Sequence, residues 1–123
     1  MSPQLVAVVD DDASVRRALT RLLQSAGLRV VSYASASEFL DTGLSIAPDC
    51  LILDIHLGGM SGLELLSRLR ELGHNLPVLI LTAHDDAQAR EAAARGGCAV
   101  YLCKPLEAKV LLEEVATAMT RAA

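Results

Sequence analysis

At 123 residues and a net charge of −4, the chain has the size of one domain and no surplus of positive charge with which to hold nucleic acid. Apolar residues make up 52%, which excludes a disordered chain, and aromatics only 2%, so Leu, Val, Ile and Ala must fill the core. No apolar run approaches the roughly 20 residues of a membrane span, and no basic start or long apolar region marks a signal peptide, so a cytoplasmic protein without membrane contact is expected.

Leu5 to Val9 is an apolar run that ends in Asp10, Asp11 and Asp12, the pattern of a strand buried on both faces. Val15, Leu19, Leu22, Leu23 and Ala26 then recur at helical spacing, with Asp12 placed as N-cap and Gly27 able to stop the helix. Arg29 to Tyr33 is a second strand, whose more polar flanks suit a sheet edge. Ser35 and Glu38 form a capping box for a short helix through about Asp41. Cys50 to Leu53 makes the central strand, with Asp54 as its expected last residue, and a Gly-rich loop runs on to Gly62. Leu63, Leu66 and Leu69 mark a third helix closed near Gly73. Val78 to Leu81 is a fourth strand ending at Thr82. Asp85, with Gln88 three residues on, predicts the cap of a fourth helix through about Arg95, ended by Gly96 and Gly97. Val100 to Cys103 is a short fifth strand ending at Lys104-Pro105, and a last helix runs from about Glu107 to Met119. Cys50, Cys98 and Cys103 are an odd count at no metal spacing, expected as reduced thiols.

Five strands alternating with five helices predict an α/β fold, a doubly wound parallel sheet covered on both faces by right-handed crossovers. Residues 1–123 are expected to form a single domain. Chemistry in such sheets collects at the carboxyl ends of the strands. Asp10 and Asp11, Asp54, Thr82 and Lys104 all fall there. Like charges held together are costly unless a cation neutralises them, and a hard divalent ion such as Mg²⁺ suits a few carboxylate oxygens plus water. Lys104 offers a positive charge to an anion, and Thr82 a hydroxyl to a phosphoryl oxygen. A carboxylate can itself act as nucleophile and form an aspartyl-phosphate, and Asp54 ends the central strand of the site. A flavin or mononucleotide site would instead want Gly, Ser or Thr amides after the first strand, where this chain has an acid run that repels phosphate.

The segments VVDDD, LILDIHLGGMSG, LILTAH and YLCKPL together resemble the receiver domain of two-component response regulators. The resemblance covers nearly the whole chain, in order. It implies the flavodoxin-like (βα)5 arrangement with strand order 2-1-3-4-5. It implies a signalling switch, not a conventional enzyme, phosphorylated on Asp54 by a partner histidine kinase or phosphotransfer protein. Asp10, Asp11 and Asp54, with the backbone carbonyl of His56, are then the set expected to hold Mg²⁺ or Mn²⁺. Thr82 and Lys104 resemble the groups that hold the phosphoryl oxygens. The Lys104-Pro105 bond is expected to be cis. Thr82 and Tyr101 would couple the site to a surface of the fourth helix, fifth strand and last helix. That surface would meet an output domain, a downstream protein or a second copy in a phosphorylation-dependent homodimer. One departure is Gly58, where the family usually has proline, and Gly59 follows it; a freer loop is expected there. A metal-dependent phosphatase acting on an outside substrate is the rival class. It often has a general-acid Asp two residues after the nucleophile, where this chain has His56. His56 and His84 stand two residues after Asp54 and Thr82, so both fall on loops at the rim of the site.

Overall fold

A computed structural model describes residues 3–122. Met1, Ser2 and Ala123, which the expected domain span includes, lie outside the described residues. Five parallel strands stand in the order β2-β1-β3-β4-β5. They are β1 (Leu5–Val9), β2 (Arg29–Tyr33), β3 (Cys50–Leu53), β4 (Val78–Thr82) and β5 (Val100–Cys103). The helices are α1 (Ala13–Ser25), α2 (Ala36–Glu38), α3 (Gly62–Glu71), α4 (Ala87–Arg95) and α5 (Ala108–Ala122). The parallel α/β sheet is the one that the alternation of elements predicts, and its strand order is the flavodoxin-like one that the family resemblance implies.

The period of two along each strand divides the core into layers. Ala7, Val9, Leu51, Leu53, Val78 and Ile80 face one side, where Phe39, Leu65, Leu66, Leu69 and Ala93 cover them. Val6, Val8, Cys50, Ile52, Leu79 and Leu81 face the other, against Leu19, Leu23, Leu111, Val115 and Met119. All residues of β1, β3 and β4 are buried, while β2 and β5 are partly exposed, as edge strands are. Cys50, Cys98 and Cys103 are free thiols. Burial pushes the Cys50 thiol up to about 12, so it packs as a small apolar group.

The chain departs from expectation at several element ends. The second helix does not stop near Asp41. Only Ala36–Glu38 is α-helical; the chain then widens into a π-helical turn over Phe39–Gly43 and tightens to a 3-10 turn over Leu44–Ile46. The wide turn seats the buried Phe39 ring beside Tyr33, and Gly43 lies so close to both rings that a side chain would collide with them. The α4 cap is Asp86, not Asp85. Asp86 has extended backbone and accepts from the Gln88 and Ala89 amides, whereas Asp85 pairs with Arg90 at 3.0 Å. The last helix starts at Ala108 and passes Met119 because nothing breaks it; Ala118 and Met119 are buried, and the Thr120 hydroxyl donates to the Ala116 carbonyl. Ser61 caps α3, unforeseen from the pattern, by accepting from the Glu64 amide. Asp12 caps α1 as expected, and Gly27 closes it at φ 84°.

At the amino end of the sheet, Arg70 gathers two loops. Its guanidinium donates to the carbonyls of His74 and Leu76 before β4 and to those of Gly96 and Gly97 after α4, at 2.9–3.2 Å. At the carboxyl end, α3 begins directly on the chain beyond β3. A Cβ on Gly62 would overlap the Asp54 carbonyl oxygen and press on Ile55. Gly62→Ala gains helix propensity but forces that backbone apart. The clash is expected to win, at a net cost of roughly 1–3 kcal/mol in urea unfolding. A stabilised variant would show that α3 can shift freely.

Candidate functional site

Register brings the acids together. Val9 lies opposite Leu53, and Leu53 opposite Ile80. Asp54 lies one residue past β3 rather than within it, yet its amide still donates to the Val9 carbonyl at 3.1 Å. Asp10 is tied in the same way by its amide to the Tyr33 carbonyl at 3.2 Å. Carboxylate oxygens of Asp10, Asp11 and Asp54 all lie within 4.8 Å of one another. Asp10 is buried at 3% exposure, Asp54 is 9% exposed, and Asp11 is open to solvent. The cluster therefore meets solvent chiefly at Asp11.

Lys104 follows β5, where its amide donates to the Thr82 carbonyl at 2.7 Å. Its ammonium lies 3.2 Å from Asp10 Oδ2 and 3.8 Å from Asp54 Oδ2. The Lys104-Pro105 bond is cis, as the family resemblance leads one to expect. Thr82 is fully buried at the end of β4, and its hydroxyl oxygen accepts from the His84 amide at 3.3 Å. Asp54 Oδ1 accepts from the His56 amide at 3.2 Å in the same i+2 pattern. The two exposed imidazoles thereby meet edge to face, with ring centroids 4.9 Å apart. Gly58, where the family usually has proline, stands in open space without a positive φ, and Gly59 after it takes φ 79°.

Burial pushes the Asp54 carboxyl above the usual carboxylate range; the His56 amide and Lys104 pull it back, and Asp10 pushes it further up. Three anionic side chains with one ammonium leave excess negative charge in a partly dry pocket. Hard oxygen donors at this spacing fit a small divalent cation.

Two contacts escape the sequence pattern. Arg16, one turn into α1, donates from Nη1 to the Asp10 carbonyl at 2.7 Å and so holds the β1–α1 loop. Arg90, one turn into α4, lies with its guanidinium carbon 4.5 Å from the centre of the Tyr101 ring. The Tyr101 hydroxyl is inaccessible and has no hydrogen-bond partner among the described residues, and burial raises its pKa. Periodicity marks each arginine only as an exposed helical position, so neither contact had a signal in the pattern.

The profile of the response regulator receiver domain matches residues 6–116. The chain belongs to that family. As a receiver domain it is a signalling domain and not a conventional enzyme. Nodulation protein W of Bradyrhizobium diazoefficiens is 39% identical over 117 residues, 95% of this chain and 52% of that protein. Transcriptional regulatory protein TdiR of Thauera aromatica is 42% identical over 114 residues, 93% of this chain and 50% of that protein. The receiver thus spans about half the length of these curated relatives. A response regulator receiver protein from Burkholderia phymatum, 44% identical, superposes with a TM-score of 0.82 over 95% of both chains. A CheY-like receiver domain from Methanospirillum hungatei shares the fold with a TM-score of 0.93 at 24% identity, over 98% of this receiver and 96% of that chain. No helix among the described residues is long and apolar enough to cross a membrane.

The raised Asp54 carboxyl has a consequence for stability. A carboxyl that ionises less readily when folded is most favourable to the fold below its unfolded value of 3.8, and that contribution is lost as pH rises through the higher folded value. Without divalent ions, Asp54→Asn should therefore raise the melting temperature at pH 7, and the gain should shrink toward pH 3. A melting temperature that falls at pH 7 would show that the Lys104 and His56 contacts outweigh burial.

Proposed function

We propose that the receiver, as one unit over residues 1–123, is a phosphorylation-driven switch with Asp54 as phosphoacceptor. The observation that carries this reading is the convergence of Asp10, Asp11 and Asp54 with the Lys104 ammonium at one edge of the sheet. An Asp54 carboxylate oxygen attacks phosphorus of a phosphohistidine on a partner kinase or phosphotransfer protein. An O–P bond forms, the P–N bond breaks, and the electron pair leaves with the imidazole. Asp10, Asp11 and Asp54, with the His56 carbonyl, would hold Mg²⁺ or Mn²⁺, which supplies positive charge against the phosphoryl oxygens. Lys104 leaves its carboxylate partners for the incoming phosphoryl oxygens, and the Thr82 hydroxyl donates to one of them. The setting is the cytoplasm, where the output is a linked domain, a downstream protein or a second copy.

Acetyl phosphate with Mg²⁺ should add one labile phosphoryl group, read by intact mass. Asp54→Asn should abolish that addition, excess EDTA should prevent it, and Lys104→Ala should slow it by tenfold or more, as for a lost charge contact of about 1.4 kcal/mol or more. Labelling of Asp54→Asn at the parent rate and site would overturn the assignment.

The route outward passes through β5. The partnerless Tyr101 hydroxyl and the Arg90 guanidinium on its ring mark a side chain with an alternative position to favour. Beryllofluoride with Mg²⁺ should shift the Tyr101 and Arg90 resonances together and change the α4–β5–α5 face. An unchanged Tyr101 environment would remove this route.

A further inference from the structure

We propose that His56 and His84 form a second metal site at the rim, for an ion of the zinc class, chemically distinct from the carboxylate cluster beneath it. The backbone builds the pair symmetrically. β3 and β4 are neighbours, and each is followed by the same turn, in which the residue two positions on donates its amide to Asp54 Oδ1 or Thr82 Oγ1. Both imidazoles are exposed, and neither makes a hydrogen bond or ion pair among the described residues. Each ring is therefore free to turn about its last torsion and aim a nitrogen.

The spacing suits a shared ion. Zinc–nitrogen bonds of about 2.0–2.1 Å in a tetrahedral arrangement put two imidazole centroids about 5 Å apart. The two centroids here are 4.9 Å apart in an edge-to-face contact with 89° between the ring planes, so the rings have the separation of a shared ion but must turn to bring a nitrogen of each toward it. Ligand type separates the two sites: carboxylate oxygens suit Mg²⁺, and imidazole suits zinc, copper or nickel. Two protein ligands leave the remaining positions to water. Both histidines stand two residues beyond Asp54 and Thr82 at the same edge, so an ion held there would crowd the phosphodonor's approach. That second step rests on Asp54 being the phosphoacceptor; binding itself does not.

Zinc chloride titrated into reduced protein in excess Mg²⁺ tests the site by calorimetry and by the imidazole C–H resonances in NMR. The chain has three histidines, and the third, His74, lies before β4 at the opposite end of the sheet. One ion should bind, with His56 and His84 resonances moving together and His74 unmoved. His56→Ala and His84→Ala should each weaken binding at least tenfold, and His74→Ala should not; melting curves confirm that each variant is folded. Binding that survives in the double variant, or that excess Mg²⁺ abolishes in the parent, would place the ion on thiols or carboxylates and overturn the site. Acetyl phosphate then separates the two claims. No labelling in Mg²⁺ alone defeats the phosphoacceptor reading, whereas labelling at an equal rate with zinc bound defeats only the crowding of the approach.

Discussion

Three carboxylates and one ammonium meet at the carboxyl edge of this sheet, and their charges do not balance. Lys104 lies closer to Asp10 than to Asp54, so the carboxylate on the central strand is the less neutralised of the two. The single Lys104 ammonium offsets that crowding only in part. The backbone imposes it, through the ladder bonds that carry Asp10 and Asp54 one residue beyond buried strands. The energy of the apolar layers thus holds apart from water a group of charges that would otherwise separate. Gly62 completes the constraint, because α3 starts so near the Asp54 carbonyl that the acid has little room to retreat.

The strands other than β2 were legible because each is a short apolar run with punctuation at its ends, and the three buried on both faces need little else. The convergence of Asp10, Asp11, Asp54 and Lys104 was legible for a related reason: once βα alternation fixes direction, every strand end falls on one edge. What escaped the sequence were contacts made by long side chains across elements. Arg16 and Arg90 read as solvated helical positions, and only the tertiary placement of the Asp10 carbonyl and the Tyr101 ring gives them partners. Asp85 and Asp86 are equivalent by composition. Asp86 became the cap because Asp85 is turned to Arg90. The π-helical turn after α2 had no local signal, since it depends on seating Phe39 against a glycine four residues later.

The two faces of the sheet divide the labour. α1 and α5 cover one side and carry the loops of Asp12 and Lys104, while α3 and α4 cover the other and carry the exposed contacts around Tyr101. Thr82, beside the acid cluster, and Cys103 are register partners, and Tyr101 lies two residues before Cys103 on the same face of β5.

Ionic strength acts unequally on the two ends of α4. Near its start and along its length, Asp85–Arg90 and Arg95–Glu91 are exposed ion pairs, which salt screens readily. At its end, Arg70 grips the Gly96 and Gly97 carbonyls, with no carboxylate among its hydrogen-bond partners in the described residues. These short charge–dipole hydrogen bonds are partly withdrawn from water and respond far less to added ions. Arginine contacts thus hold both ends of the helix, Arg90 on the Tyr101 ring near its start and Arg70 on the Gly96 and Gly97 carbonyls at its end. Rising salt therefore weakens the Asp85–Arg90 pair at the start of α4 more than the Arg70 contacts at its end.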